Sequence, residues 1–330
     1  MKLPRRRFLH LAASTAALPA VSHFALLQDA WAQDYPRRPV RLITGFAPGG
    51  GNDIVARLLG QWLSERTGQQ FIVENRPGAG TNIATEAVVN APPDGYTLLL
   101  VGLSNTSNLS LYDKLNFNFI RDIAPVAGVV STTLVMVVNP SVPAKTVGEF
   151  IAYAKTSPGK INMASAGTGS VGHLAGELFK MMAGVDLVHV PFRGNGPALT
   201  ALLAGQVEVL FPSLASAIEF IRTGKLRALA VTSATRSATM ADLPSLGEFV
   251  PGYEISTWYG VGAPRGTPAE VIDKLGRDID AVLADPTLKA RFADLGDFPM
   301  PMTPVAFGKF IADETEKWGK VIRAANIKLE

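Results

Sequence analysis

"FAPGGGNDIVARLLG", residues 46–60, sets three consecutive glycines between an apolar run and a run of helical spacing. The preceding "PVRLIT", residues 39–44, reads as a buried strand, and Ile54, Leu58, Leu59 and Trp62 recur at the period of an amphipathic helix. A strand, a glycine turn and a helix start in that order aim backbone N–H groups and the positive end of a helix dipole at one place. That place suits an anion. The same plan returns in "SAGTGSVGHLAGELF", residues 165–179. The anion is either a cofactor's phosphate or the carboxylate of a small solute, and the rest of the chain bears on the choice.

Outward from the first loop, short apolar runs alternate with amphipathic helices. "FIVEN", "YTLLLVG", "INMASA", "DLVHVPF", "VEVLF" and "LRALAVTS" read as strands, with helices starting near Thr81, Asn105, Val171, Pro197 and Leu214. This alternation predicts an α/β fold with mostly parallel sheets covered on both faces. The pattern starts afresh after "STTLVMVVNPSVPAKTVGEF", and a second long strand, "ISTWYGVGAP", returns near Thr257. Two long strands bracketing a central block predict two crossings between two lobes, with a cleft between them. The first lobe is expected over 33–136 plus 258–330 and the second over 137–257, with the region from Pro268 mostly helical.

Residues 1–32 are set apart. Their basic start, apolar middle and small-residue site Ala30-Trp31-Ala32 form a secretory signal peptide cleaved after Ala32. Arg5-Arg6-x-Phe8-Leu9 fits the twin-arginine export signal; an ordinary signal with a basic start is the other reading, and either route exports the chain. No later apolar run approaches the ~20 residues that span a bilayer. There is no cysteine, hence no disulfide framework and no lipid-carrying cysteine. The mature chain is therefore expected in the periplasm, as a monomer. Lys2, Arg5, Arg6, Arg7 and Asp29 account for the whole chain's net charge of +3. The mature part is close to neutral and carries no basic footprint for nucleic acid.

Cofactor and catalytic patterns are incomplete. Gly167-x-Gly169-x-x-Gly172 matches the dinucleotide fingerprint in form, but the following strand ends in Pro191 and Phe192 instead of the acid that holds a ribose. In the first loop, Ile54 stands where the third glycine belongs, although Glu74 does end the next strand. No Gly-Lys pair precedes a Ser or Thr, so the P-loop pattern is missing. His173 and His189 are the only histidines beyond the signal, and no nucleophile elbow surrounds Ser165 or Ser170. No catalytic residue, metal site or cofactor is expected. A secreted α/β enzyme with a cleft stays open as an alternative, because twin-arginine export often carries folded cofactor proteins.

Anion capture without chemistry needs less. One helix terminus contributes roughly 0.3–1 kcal/mol, or ~2 when partly buried. Micromolar affinity takes about 8 kcal/mol. Several charge-assisted hydrogen bonds, each worth roughly 1.5–3 kcal/mol, reach that sum if both loops close on one ligand.

The residues also carry a resemblance. "YPRRPVRLITGFAPGGGNDIVARLLGQWLSERTGQQFIVENRPGAGTNIA", "PPDGYTLLL", "VHVPFRGNGPALTALLAGQVEVLF", "GKLRALAVTSATRS" and "WYGVGAPRGTPAEVIDKL" resemble, in that order, the Bug (TctC-like) family of periplasmic solute-binding proteins. The resemblance implies a two-lobed periplasmic binding protein (Venus flytrap) fold with a two-strand hinge and a carboxylate ligand gripped from both lobes. It also implies, as partners, the large and small membrane subunits of a tripartite tricarboxylate-type transporter; an orphan sensor docking to a signalling protein is the other role such receptors fill. Carried over by position, Gly49, Gly50 and Gly51 are the first-lobe carboxylate loop, flanked by Gly78, Ala79, Gly80, Ser104 and Asn105. Gly167, Thr168, Gly169 and Ser170, with Ser165 ending the strand before them, are the second-lobe jaw. Asp53 either complements the helix dipole or contacts a ligand amine or hydroxyl. His173 braces the second loop or touches the ligand, and Arg193 in "PFRGNG" pairs with a second carboxylate or stays solvated. Ala201 and Pro212 stand where the family commonly has an aspartate and an acid or asparagine, so no particular substrate carries over.

Overall fold

Val40–Thr44 (β1) is mostly apolar and four of its five residues are buried, the pattern of a central strand covered on both faces. Phe71–Asn75 (β2) and Thr97–Gly102 (β3) pair with it in parallel on either side. The helices Gly51–Thr67 (α1), Asn82–Val89 (α2) and Leu103–Leu111 (α3) follow these strands in turn, as parallel pairing requires. This is a computed structural model, and it describes residues 35–324 and residue 327. The expected signal peptide lies outside the described residues.

After the short helix Phe119–Asp122 (α4), the long strand Ile123–Thr133 (β4) joins the first sheet, and Val135–Val138 (β5) lies in the second. Leu134 is the joint between them. The second lobe continues through Val147–Thr156 (α5), Asn162–Ser165 (β6), Val171–Ala183 (α6), Val188–Pro191 (β7) and Asn195–Leu203 (α7). Val209–Leu210 (β8), Leu214–Arg222 (α8) and Arg227–Val231 (β9) complete it. The chain returns in Ser256–Pro264 (β10), followed by Ala269–Ala284 (α9), Pro286–Asp294 (α10), Asp297–Met302 (β11) and Pro304–Ala324 (α11).

The first sheet has the order β11-β4-β10-β3-β1-β2 and the second β7-β6-β8-β5-β9. Four of the six strands in the first and four of the five in the second run the same way. The sheets are thus mostly parallel in direction but mixed in pairing, since β10 and β5 each lie antiparallel between two neighbours. The crossings explain this. A strand that leaves one lobe runs toward the cleft, so its continuation runs away from the cleft in the other.

Each sheet buries both faces. Along β3, Leu98 and Leu100 pack with α1 and α9, whereas Leu99 and Val101 pack with Phe307 and Ile311 of α11. Along β5, Val135 and Val137 face α7 and α8, whereas Met136 and Val138 face Phe150 and Phe179. This is the period-two alternation of a strand.

The C-terminal region is mostly helical, as expected, with two features the sequence reading did not name. "DFPMPM" forms β11 despite Pro299 and Pro301, and it lies at the sheet edge, where a missing N–H costs no ladder bond. The last helix also spans both lobes: Phe307 and Ile311 join the first-lobe core, while Trp318 and Ile322 join the second.

Candidate functional site

The C-terminal ends of the parallel strands in both lobes face the cleft, where α/β folds hold their ligands. A cavity of about 570 Å³ lies there. The first lobe lines it with Phe46, Gly78, Ala79, Gly80, Ile83 and Tyr112, and the second with Ala166, Gly167, Thr168, Phe192 and Arg193. A smaller space of about 30 Å³ shares Gly45 and Phe46 with it and is bounded by Asn52, Thr81, Ser104, Asn105, Thr257 and Tyr259. That volume accommodates roughly one or two waters among several polar partners.

The turn at 78–81 is the most strained segment. Gly78, Ala79, Gly80 and Thr81 all have positive φ, at 137°, 46°, 58° and 86°. For a β-branched residue such as Thr81 this is costly, and such strain persists only where neighbours over-determine it. Asn105 does so. Its Oδ1 accepts the Gly102 N–H at 2.8 Å, and its Nδ2 donates to Thr81 Oγ1 and Thr85 Oγ1 at 3.2 and 3.0 Å. Asn108, one helical turn on, donates from Nδ2 to the Gly80 carbonyl and to Asn82 Oδ1.

The first glycine loop lies elsewhere. Gly49, Gly50 and Gly51 do not line the cavity but meet the second lobe. A methyl group on Gly51 would collide with the Ser213 side chain, and one on Gly49 would sit 3.5 Å from the Gly196 Cα. The Ala47 N–H donates to the Arg193 carbonyl at 2.9 Å, closing the two lobes along this line. Asp53 braces the loop from behind: Oδ2 accepts the Gly49 N–H at 3.1 Å and Oδ1 accepts from Asn75 at 2.9 Å. Burial alone would raise its carboxyl pKa, but the bonds from Arg57, Asn75 and Gly49 outweigh that and hold it below the usual range.

In the second loop most backbone donors are already engaged. The Gly167 N–H donates to Ser165 Oγ at 3.0 Å, the Gly169 N–H to His173 Nδ1 at 3.2 Å, and the Ser170 N–H to the Gly167 carbonyl. Ser170 Oγ caps α6 by accepting the His173 N–H at 3.3 Å. Ser165 Oγ also pairs with His189 Nε2 at 2.7 Å, and the His173 and His189 rings stack with centroids 4.1 Å apart. Burial first, and then the neighbouring His189 and Lys180, push the His173 pKa down to about 3. Its Nδ1 is therefore a bare acceptor at neutral pH.

Of the residues singled out from sequence, the structure brings Gly78, Ala79, Gly80, Gly167, Thr168 and Arg193 together around the cavity, with Ser104 and Asn105 at the smaller space. Gly49, Gly50, Gly51, Asp53, Ser165, Gly169, Ser170 and His173 lie outside both linings. Sequence reasoning missed Phe46, Ile83, Tyr112, Phe192 and Asn108. Phe46 and Phe192 adjoin the glycine loops and could have been found by reading one residue past each strand; Ile83, Tyr112 and Asn108 carry no such mark. Among the described residues no cluster of His, Asp and Glu could hold a metal ion, and no helix is long and apolar enough to cross a membrane.

The family described as tripartite tricarboxylate transporter family receptor matches residues 55–327. Protein BugT of Bordetella pertussis is 37% identical over 302 residues, covering 91% of this chain and 93% of that one. An R. palustris protein solved with adipate superposes with a TM-score of 0.87 at 34% identity, covering 89% of this chain and 99% of that one. MatC from Rhodopseudomonas palustris, solved with bound malate, gives 0.83 at 33% identity, covering 87% and 100%.

Proposed function

The chain belongs to the tripartite tricarboxylate transporter receptor family of periplasmic solute-binding proteins, and from that premise we propose that it captures a small carboxylate between its lobes for delivery to a membrane permease. The observation that carries this reading is the inter-lobe cavity, lined from both sides by glycine-rich backbone at the ends of parallel strands. The adipate and malate in the two R. palustris proteins support the carboxylate. Residues 33–133 with 256–330 and residues 135–255 act as the two lobes, each expected boundary moved by two or three residues so that β5 and β10 stay whole, and cleavage after Ala32 releases them to the periplasm.

Within the cavity, backbone N–H groups of Ala79, Gly80 and Thr168 serve the ligand, and Ser104 and Asn105 hold waters that bridge to it. Gly49, Gly50 and Gly51 act at closure instead, letting the lobes approach. Gly167 and Gly169 shape the jaw while their N–H groups bind Ser165 and His173. The permease would have a large and a small membrane subunit.

Calorimetry with carboxylic acids and their methyl esters tests the reading. Losing charge-assisted bonds worth roughly 1.5–3 kcal/mol weakens binding about ten- to hundredfold, so each ester is expected to bind that much more weakly than its acid. Equal affinity for acid and ester would overturn it.

A further inference from the structure

The turn that faces the cavity is held from behind by a residue that does not line it. Within residues 78–82 the carbonyls of Gly78 and Ala79 accept the N–H groups of Thr81 and Asn82. In a planar trans peptide the N–H points away from the carbonyl, so these bonds turn the Ala79 and Gly80 N–H groups away from the turn's own interior. The Gly80 carbonyl is fixed by a side chain: Asn108 Nδ2 donates to it at 2.6 Å and to Asn82 Oδ1 at 2.8 Å. Both amide hydrogens are committed, and turning the amide over would set its oxygen against two acceptors. Its Oδ1 therefore points elsewhere. It lies 3.0 Å from the place that a Cβ on Gly169 of the second lobe would take, and among the described residues it is buried without a hydrogen-bond partner. Beside it, Ser107 Oγ donates to the Gly169 carbonyl at 3.4 Å, and the Thr168 carbonyl lies 3.0 Å from the place of a Cβ on Gly80. Asn108 is 1% exposed, so turn, helix and jaw meet around it with no slack.

We propose that Asn108 is a positioning residue for ligand capture, aiming the turn of the first lobe and seating the jaw of the second. This rests on the reading of the Ala79 and Gly80 N–H groups as ligand donors and deepens it. Positive φ at Ala79 and Thr81 is costly for residues with a side chain, so the turn keeps that shape only while its neighbours impose it. Asn105 imposes it on Thr81, but its bonds stay within the first lobe. Asn108 joins the turn to the second-lobe jaw through one rigid amide. A jaw that arrives against Oδ1 bears on an amide whose other end holds Gly80, and coupling between two sites needs such a shared element. The donors are aimed before the ligand arrives, which spares binding the cost of ordering them.

The test uses the full mature chain as Asn108→Ala, Asn108→Asp, Gly169→Ala and the double variant that closes the cycle. Hydrogen exchange without ligand reads the turn, and calorimetry with adipate and malate reads capture. Losing these hydrogen bonds is expected to speed exchange of the Thr81 and Asn82 N–H groups about tenfold in both Asn108 variants, while exchange in the strands of the second lobe stays at the wild-type rate. Binding of whichever acid the wild type takes is expected to weaken by about tenfold or more in both. Asn108→Asp keeps the volume and loses the donor, so wild-type behaviour in that variant would overturn the proposal by reducing Asn108 to packing. Gly169→Ala brings a methyl group against Oδ1 and should weaken binding far more in the wild type than in Asn108→Ala, where that oxygen is gone. Unchanged exchange at Thr81 and Asn82, or losses that simply add, would overturn the proposal while leaving a carboxylate receptor standing. If neither acid binds the wild type, the exchange result still decides Asn108 and the failure falls on the carboxylate reading.

Discussion

Two buried titratable groups pull stability in opposite directions with pH. His173, with its pKa pushed down to about 3, holds fewer protons folded than unfolded. Its contribution is complete above the ordinary histidine value of 6.5 and is lost as pH falls toward 3. Asp297 does the reverse. Burial pushes its carboxyl up from 3.8 to about 7, with the neighbouring Thr132 offsetting part of the rise. Both carboxyl oxygens and Thr132 Oγ1 are buried without a hydrogen-bond partner, and the two residues face each other across β11 and β4. A protonated Asp297 can donate to Thr132, whereas an ionised one has that hydroxyl's support alone against its burial. Its contribution is complete below 3.8 and is lost as pH rises through about 7. Asp297→Asn, neutral at every pH, is therefore expected to raise the melting temperature at pH 8 by roughly 2–4 °C, about 1 kcal/mol, and to do much less at pH 5. Melts followed by circular dichroism at the two pH values check this, and a larger gain at pH 5 would contradict it. His173 was legible from sequence as a brace for the second loop or a ligand contact, but not as a buried, neutral group; Asp297 carried no mark at all. Burial is a property of what packs around them, and that is set by segments far along the chain.

Single elements differ in how openly the sequence states them. The helix beginning at Gly51 announces itself through Ile54, Leu58, Leu59 and Trp62, and the stacked apolar runs of β1, β3 and β5 read as covered strands because both faces are buried. β11 does not, since Pro299 and Pro301 argue against a strand until its edge position removes the objection. The last helix is legible as a helix but not as a strut. Its Glu314 Oε2 accepts both the Trp258 indole N–H of the crossing strand at 3.1 Å and that of Trp318 at 3.2 Å. Both tryptophans are buried, so removing this acceptor leaves two indole donors stranded. Glu314→Ala is expected to cost about 2–4 kcal/mol in urea unfolding, and Glu314→Gln, which keeps an acceptor, distinctly less. Equal losses from the two substitutions would show that a neutral acceptor of the same size cannot replace the carboxylate, and that its charge carries the contribution.

At the scale of the molecule, two sheets joined at Leu134 and again between β9 and β10 form two bodies that meet along a line of small residues. The strand-loop-helix rhythm made those bodies readable, because each unit repeats one local plan. The cleft between them and its glycine loops were readable, but its apolar walls were not, because Phe46, Ile83, Tyr112 and Phe192 come from four separate segments and meet only through the fold. The first glycine loop is the instructive case: its glycines marked a special place, and the place is a contact with the other lobe. Gly51 admits the Ser213 side chain, Gly194 lies against Ala47, and Gly196 lies against the Pro48 carbonyl. These pairs join the two lobes, so a hinge opening that separated them would tie closure and ligand capture to one equilibrium. Solution scattering is expected to show a smaller radius of gyration when the carboxylate that calorimetry identifies is added at saturation. Gly51→Val, whose branched side chain cannot coexist with Ser213 at this spacing, should hold the lobes apart, abolish the compaction and weaken binding, while circular dichroism reports an intact fold. A wild-type radius that does not change at saturation would remove the hinge. A Gly51→Val protein that compacts normally would show that the first glycine loop has another purpose than closure.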